Sequence, residues 1–397
     1  MVMMEVHDVV ALAESVLDLD AGVLTPARLE ALRRQLPDAW RKRSSLVADL
    51  VLGTRKARDL GKARDGFVYT VVMAEQATHP DISEWHAEPY RGCTCVVEAC
   101  TGAGVDAVAL AAVAKNVVTF EANAVHAMIG QANVERVGCS NVTVVSRGVP
   151  SADWAQAVAR ADGLWADPSR RTKGGRRTRR GAEYDPPLDV LLDGLSHSAI
   201  VGVKVGPADL VGNTMETTMD STWVGFRAEA RERTLWRNAE TRRGNRIYLA
   251  DAKVEWCAPA QPSQPAVRTA VAGDVIVEPH NAIIASGYVG SWFDQHGMAV
   301  IDPRIGYGLA GQSLGASPWY QRWVVLDVEA GVDRKRIQQA VDALGWGAST
   351  VVKKRGVDVD PMELHRQLRF AESGPAGAII LVRTEAGRCT IYAQRPA

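Results

Sequence analysis

What most constrains this chain is a change of texture that begins at residue 91. Short apolar runs recur there: CVVEA (95–99), VVTFE (117–121), VTVVS (142–146), GLWAD (163–167) and AIVGVKV (199–205). Segments of helical length, such as Val105–Lys115 and Ala124–Val137, separate them. A short apolar run without strict alternation suits a strand buried on both faces, and parallel strands need a crossover between them. The pattern predicts an α/β fold built on a doubly wound parallel sheet with helices on both sides. Two later runs, Trp223–Ala228 and Arg233–Trp236, are expected to pair as a hairpin that turns across Ala230–Glu232.

The flanks read differently. In residues 5–90 the apolar positions Val9, Val10, Leu12, Ala13, Val16 and Leu17 follow a helical period, as do Val47, Leu50, Val51 and Leu52. Pro26 fits the first turn of a helix that continues through Leu29, Leu32 and Leu36. A helical cap over 1–90 is expected, followed by the α/β domain over 91–257. Residues 258–274 are rich in Pro, Ala and Gln, and 258–317 read as linker and connecting segment. From 318 a third unit is expected: strands at WVVLDV (323–328), STVVKKR (349–355) and AIILVRT (378–384), and helices at Arg334–Leu344 and Pro361–Phe370. That is a small α+β domain over 318–397.

Formal net charge is zero, so any attraction to polyanions must come from a local patch. The six cysteines form no CxxC pair, which gives no zinc signature, and two of them, in or beside apparent strands, read as small buried residues in a reducing compartment. No apolar run is long enough to span a bilayer and the first residues lack a basic start, so the cytoplasm and no membrane partner are expected.

The chemistry concentrates in Glu98-Ala99-Cys100-Thr101-Gly102-Ala103-Gly104-Val105-Asp106, which follows a strand and opens a helix. Glycines there let the backbone turn tightly and approach a ligand, and the helix amides face whatever polar group sits above them. A second acid, Glu121, ends the next strand 23 residues after Glu98, where a carboxylate can accept both hydroxyls of a ribose. Turn, context and second acid together point to a nucleoside cofactor, with Ala122 alongside. The third glycine of a dinucleotide fingerprint is missing from GAGVDA. Glu98 would face a pyrophosphate badly but suits a cationic ammonium. The expected cofactor is therefore S-adenosylmethionine (SAM), held by Glu98, Cys100, Thr101, Gly102, Gly104, Asp106, Glu121 and Ala122.

Asp167-Pro168-Ser169-Arg170-Arg171 ends the fourth strand, and ligands of open α/β sheets sit beyond such ends. Asp167 and Pro168 are the candidate catalytic pair. Arg170 suits a phosphate or carboxylate. In RRTKGGRRTRR (170–180) seven of eleven residues are basic and none is acidic, which reads as an anion-binding loop or as a solvated one. Its two glycines permit movement. Ser169, Arg170, Arg171, Gln76 and Tyr184 are candidate substrate contacts, with Tyr184 open also to a packing role.

Several stretches carry a family resemblance: MAEQATHP (73–80), EACTGAGVDAVAL (98–110), ADPSRR (166–171), GGRR (174–177), YDPPL (184–188), VGVKVGP (201–207), VIVEPHNAII (275–284), IDPRIGYG (301–308) and KKRGVDVDPMELHRQLR (353–369). With them the chain resembles bacterial class I SAM-dependent methyltransferases that carry a C-terminal THUMP-like domain and are distantly similar to trimethylguanosine synthase. The resemblance implies a class I methyltransferase (Rossmann-like) sheet ending in an antiparallel hairpin, SAM around Glu98, Thr101, Gly102, Gly104 and Glu121, and a reaction centre at Asp167-Pro168. It also implies RNA or guanosine-like substrates. In amino-methylating enzymes an aromatic residue follows the Asp-Pro; here Ser169 and Arg170 do.

The expected activity is methyl transfer to nitrogen of a nucleobase, an RNA or another anionic substrate, such as a phosphorylated or carboxylated small molecule. Two other readings stand beside it. One is non-methyl chemistry on SAM, by aminocarboxypropyl transfer or cyclisation. The other is a non-catalytic RNA-binding protein.

Overall fold

The computed structural model describes residues 6–17, 25–171, 176–193, 195–197 and 199–396. They form two compact units. The first runs to Thr222 and takes in Arg233–Arg243; the second comprises Trp223–Glu232 and the chain from Gly244 onward.

Among the described residues the first unit opens with the helices α1 (Val6–Leu17), α2 (Pro26–Gln35), α3 (Asp38–Arg41), α4 (Ser44–Asp59), α5 (Val71–Gln76) and α6 (Pro80–Ala87). Side chains cap them where the sequence permits. Thr25 accepts from the Arg28 amide with Pro26 at the first turn, Thr70 accepts from Met73, and His79 accepts from Asp81. The helix α4 buries Val47, Leu50, Val51 and Ala57. It also lies against the backbone of Tyr69 and Thr70, where a Cβ at Gly53 would come within 2.2 Å of the Tyr69 carbonyl.

The sheet of this unit contains β1 (Cys95–Ala99), β2 (Asn116–Phe120), β3 (Val142–Val145), β4 (Gly163–Ala166) and β5 (Ile200–Val205), all paired in parallel. The connecting helices are α7 (Val105–Ala111), α8 (Ala124–Arg136), α9 (Ala152–Val158), α10 (Leu188–Leu192) and α11 (Asn213–Thr218). A hairpin of β6 (Asp220–Phe226) and β7 (Glu229–Arg237) follows, and β7 runs antiparallel to β5. Strand order is β3-β2-β1-β4-β5-β7. The hairpin turns at Arg227–Ala228, not across Ala230–Glu232. The charged run Glu229–Glu232 imitates a turn, yet it is the start of a strand whose later residues Glu232–Trp236 are buried. Chain order reverses between β1 and β4, so a crevice opens beyond their carboxyl ends. Val97, Ala99, Leu164, Ala166, Val201 and Val203 belong to the core beneath it.

The second unit contains β8 (Arg246–Leu249) and β9 (Val254–Cys257), an antiparallel pair, and then a seven-stranded sheet. Its strands are β10 (Val275–Pro279), β11 (Ala299–Val300), β12 (Gly308–Ala310), β13 (Tyr320–Ala330), β14 (Val351–Arg355), β15 (Gly377–Thr384) and β16 (Gly387–Gln394), in the order β11-β12-β10-β13-β16-β15-β14. Helices α12 (Asn281–Ser286), α13 (Val289–Gln295), α14 (Arg334–Leu344) and α15 (Pro361–Gln367) complete it. The expected linker over 258–317 is thereby corrected. Only its first part lacks strands; from Val275 it supplies β10, which lies between β12 and β13, and the buried residues Ile283, Trp292 and Phe293. No described helix is long and apolar enough to cross a membrane.

Candidate functional site

The turn between β1 and α7 is built from left-handed residues. Cys100, Gly102 and Gly104 have φ of 72°, 53° and 85°. Two of the three are glycine, which meets no steric penalty there. The amides of Cys100 and Thr101 donate to the Phe120 carbonyl, tying the turn to the end of β2. Thr101 and Thr119 share a hydroxyl hydrogen bond of 2.5 Å. From behind, α8 comes so close at Gly130 that an added Cβ would lie 3.1 Å from the Gly102 carbonyl oxygen.

Glu121 leaves β2 and clamps the front of the turn. Its Oε2 accepts from the Gly102 amide at 3.0 Å and its Oε1 from the Asn123 amide at 2.9 Å. Each carboxylate oxygen keeps a lone pair for a further donor. Ala122 is exposed beside it. Glu98, at the end of β1, is 1% exposed and its Oε2 has no hydrogen-bond partner among the described residues. Burial pushes its carboxyl well above the usual range. The charges of Asp106, Asp167 and Glu121 add to this, against a hydrogen bond from Thr119. Cys100 is pushed up too, first by burial and then by the charges of Glu121, Asp167, Glu98 and Asp185.

Asp106, in the first turn of α7, is buried among polar partners. The sequence placed it among the cofactor contacts. Its Oδ2 accepts from the Thr78 hydroxyl at 2.8 Å and its Oδ1 faces His86 Nδ1 at 3.0 Å, with the residue 8% exposed. Burial alone would raise its pKa; the His86 hydrogen bond and charge, with Lys204 and Thr78, bring it below the usual value. Asp106 is a strut that fastens α6 and the segment before it to the first turn of α7.

The reaction-centre residues sit at the end of β4. Asp167 is partly exposed and Pro168 buried. Lys204, an inward lysine on β5, donates to Asp167 Oδ2 at 2.6 Å and to Thr78 Oγ1 at 3.3 Å. His86 packs on Trp165, one residue before Ala166, at 4.1 Å between ring centres. A continuous polar chain thus runs His86–Asp106–Thr78–Lys204–Asp167. Ser169 and Asp185 exchange backbone hydrogen bonds of 2.9 and 3.0 Å, which fixes the segment after Pro168.

Beyond Ser169 the basic loop is pinned where Thr178 donates to the Arg170 carbonyl at 2.9 Å and where Leu210 pairs with Arg179 and Gly181. Residues 172–175, including Lys173 and both loop glycines, lie outside the described residues. Arg170 is partly exposed; Arg171, Arg176, Arg177, Arg179 and Arg180 are exposed. Gln76 is the exposed last residue of α5, two positions before Thr78. Tyr184 is 2% exposed, donates to Asp209 and accepts from the Gly206 amide at 3.2 Å, in keeping with the packing role its sequence left open. Burial, then the bond to Asp209, pushes its phenol well above the usual range. It packs in the core cluster of this unit.

Sequence reasoning missed Thr78, His86, Asn133 and Lys204. Asn133 is wholly buried in α8. Its Nδ2 donates to the carbonyls of Val68 and Ala103 at 3.0 and 2.9 Å, and its Oδ1 accepts from the Val68 amide at 2.9 Å. It ties the glycine turn to the segment before α5. The available signal was a lone polar residue in an otherwise apolar context, as Lys204 is in VGVKVGP.

Comparison with known proteins agrees with this architecture. A family model described as THUMP domain-like matches residues 321–395. The chain is 29% identical over 364 residues to an uncharacterized S-adenosylmethionine-dependent methyltransferase of Mycobacterium tuberculosis, in strains CDC 1551 and H37Rv, covering 88% of this chain and 96% of the relative. A crystal structure of a putative methyltransferase from Porphyromonas gingivalis W83 superposes with a TM-score of 0.70 at 15% identity, covering 100% of both chains, a likeness of fold. The chain thus shares the fold of that putative methyltransferase, and its C-terminal residues match the THUMP domain-like model.

Proposed function

We propose that this protein is a SAM-dependent methyltransferase whose acceptor is an anionic substrate, an RNA or a phosphorylated small molecule, methylated on nitrogen. The observation that carries the reading is the pairing of two carboxyls around one glycine turn. Glu121 is held by two amides with lone pairs to spare, and Glu98 is buried with an unpartnered oxygen. These residues fit SAM: Glu121 would hold the ribose hydroxyls, Glu98 the methionine ammonium, directly or through water, and the Thr101–Gly104 backbone the amino-acid end.

Bound there, SAM supplies a methyl group on a positively charged sulfur. The chain's own work is alignment and exclusion of water. Lys204 holds the Asp167 carboxylate in one orientation. Asp167 and the Pro168 carbonyl then accept hydrogen bonds from the acceptor nitrogen, which turns its lone pair toward the methyl group. Six arginines fall within Arg170–Arg180, the segment that follows Asp167-Pro168-Ser169, while the only acid between them and Tyr184 in sequence is Glu183, bonded to Thr178 and 3.8 Å from Arg180. In a chain of zero net charge, such a local excess selects an anion.

The test is incubation with methyl-labelled SAM and either RNA or pools of phosphorylated metabolites, with separation of the nucleoside product. Label in the acceptor with S-adenosylhomocysteine as product supports the proposal. Methylthioadenosine with unlabelled acceptor would mean aminocarboxypropyl transfer or cyclisation instead. RNA bound with steep salt dependence and SAM bound but never consumed would mean a non-catalytic binder.

A further inference from the structure

Of the four acids around the turn, three have their oxygens served. Asp106 has His86 and Thr78, Glu121 has two amides, and Asp167 has Lys204. Glu98 has a hydroxyl bond from Thr119 at most and an enclosed Oε2 without a partner among the described residues. A carboxylate shut away from water beside other carboxylates is costly to ionise, and such a group keeps its proton instead. We propose that Glu98 is the ligand-selecting residue of the cofactor site: it is protonated before SAM arrives and gives that proton to solvent when the methionine ammonium takes its place.

This rests on the SAM reading above. The charge balance makes the exchange selective. With Glu98 ionised, four carboxylates meet two cationic groups, Lys204 and His86, an excess of two negative charges. SAM brings ammonium, sulfonium and carboxylate, a net positive charge. S-adenosylhomocysteine has lost the sulfonium charge and is neutral overall, so the site holds product less well than cofactor. Methylthioadenosine has no ammonium and cannot replace the proton. The groups that face Glu98 are Asp106 on α7, Thr119 and Glu121 at the end of β2, Asp167 after β4, Cys100 in the turn and Tyr90 before β1, while Lys204 on β5 and His86 on α6 face Asp106. Burial raises the Cys100 thiol and the Tyr90 phenol well above their usual ranges, so both stay neutral. That leaves Glu98 as the group of this set whose proton the ligand's ammonium can replace.

The experiment is calorimetric titration of the full chain with SAM, S-adenosylhomocysteine and methylthioadenosine. It runs at roughly pH 5.5 to 7.5, below the range of about 7.7–8.0 where the ligand's own α-amino group titrates. At each pH two buffers of different ionisation enthalpy count the protons. Close to one proton is released per SAM, and affinity rises by up to about tenfold per pH unit. Methylthioadenosine binds without release. Glu98→Gln, checked for folding by circular dichroism, binds SAM with a flat pH profile. SAM bound by wild type without proton release overturns the proposal, whether or not the variant folds. A pH slope unchanged in Glu98→Gln overturns it as well and moves the titration to another group. If wild type binds no SAM at any pH, the SAM reading itself falls, and the proposal with it.

Discussion

Replacing Gly130 by alanine sets helix propensity against the cofactor turn. The residue lies inside α8, where Gly→Ala ordinarily gains about 1 kcal/mol. Here the new methyl would stand 3.1 Å from both the Gly102 carbonyl oxygen and the Thr101 methyl, so one side must give by a few tenths of an ångström. Overpacking of this kind costs about 1–3 kcal/mol. The turn is not free to retreat, because Thr101 is bonded to Thr119 and the Gly102 amide to Glu121 at 3.0 Å. Global stability should therefore fall by no more than about 2 kcal/mol. SAM affinity should fall more visibly. A hydrogen bond to a charged acceptor is worth about 1.5–3 kcal/mol, and stretching Gly102–Glu121 past good geometry loses part of it, a drop of roughly fivefold to tenfold. Urea unfolding and SAM titration on the same preparation separate the two effects. A variant about 1 kcal/mol more stable with unchanged SAM affinity would refute the reasoning.

Asn133→Asp should be far more damaging, because it turns a carboxylate oxygen toward the Val68 and Ala103 carbonyls in a wholly buried site; a loss of about 3–5 kcal/mol in urea unfolding is expected. In the second unit, Gly225→Ala would place a methyl 2.4 Å from the His280 ring and 2.6 Å from Leu249, and should lower the melting temperature by the equivalent of about 1–3 kcal/mol. Asp302, held by Arg304 at a pKa of about 2 against an ordinary 3.8, contributes stability that is present above 3.8 and lost as pH falls toward 2. Asp302→Asn should remove that part of the acid limb, so wild type and variant urea midpoints should converge between pH 3.8 and about 2.

The strands β1–β5 were legible because each is a short, mainly apolar run without strict alternation, the pattern of a covered parallel sheet. The glycine turn was legible because its residues must be left-handed where they are. What failed lies where local chemistry misleads. Glu229–Glu232 has the polarity of a loop but is a strand start, and β16 hides in RCTIYAQ, whose apolar part begins only after exposed Gly387 and Arg388. The segment 258–317 opens with prolines that mask the strand at Val275. In the site, Glu98 and Glu121 stand where strand ends put them. The roles of Asp106 and Tyr184 were not readable, because their partners Thr78, His86 and Asp209 are 20 to 28 residues away in sequence and become neighbours only through the fold.

The central claim is that the Cys100–Gly104 turn with its two acids holds SAM. Titration of SAM and S-adenosylhomocysteine into wild type and Glu121→Ala tests it most directly. Micromolar-range binding that weakens about tenfold or more in the variant is the expected result, the loss of roughly one charge-assisted hydrogen bond. Wild type that binds neither ligand, or a folded Glu121→Ala that binds SAM as tightly as wild type, would contradict the account.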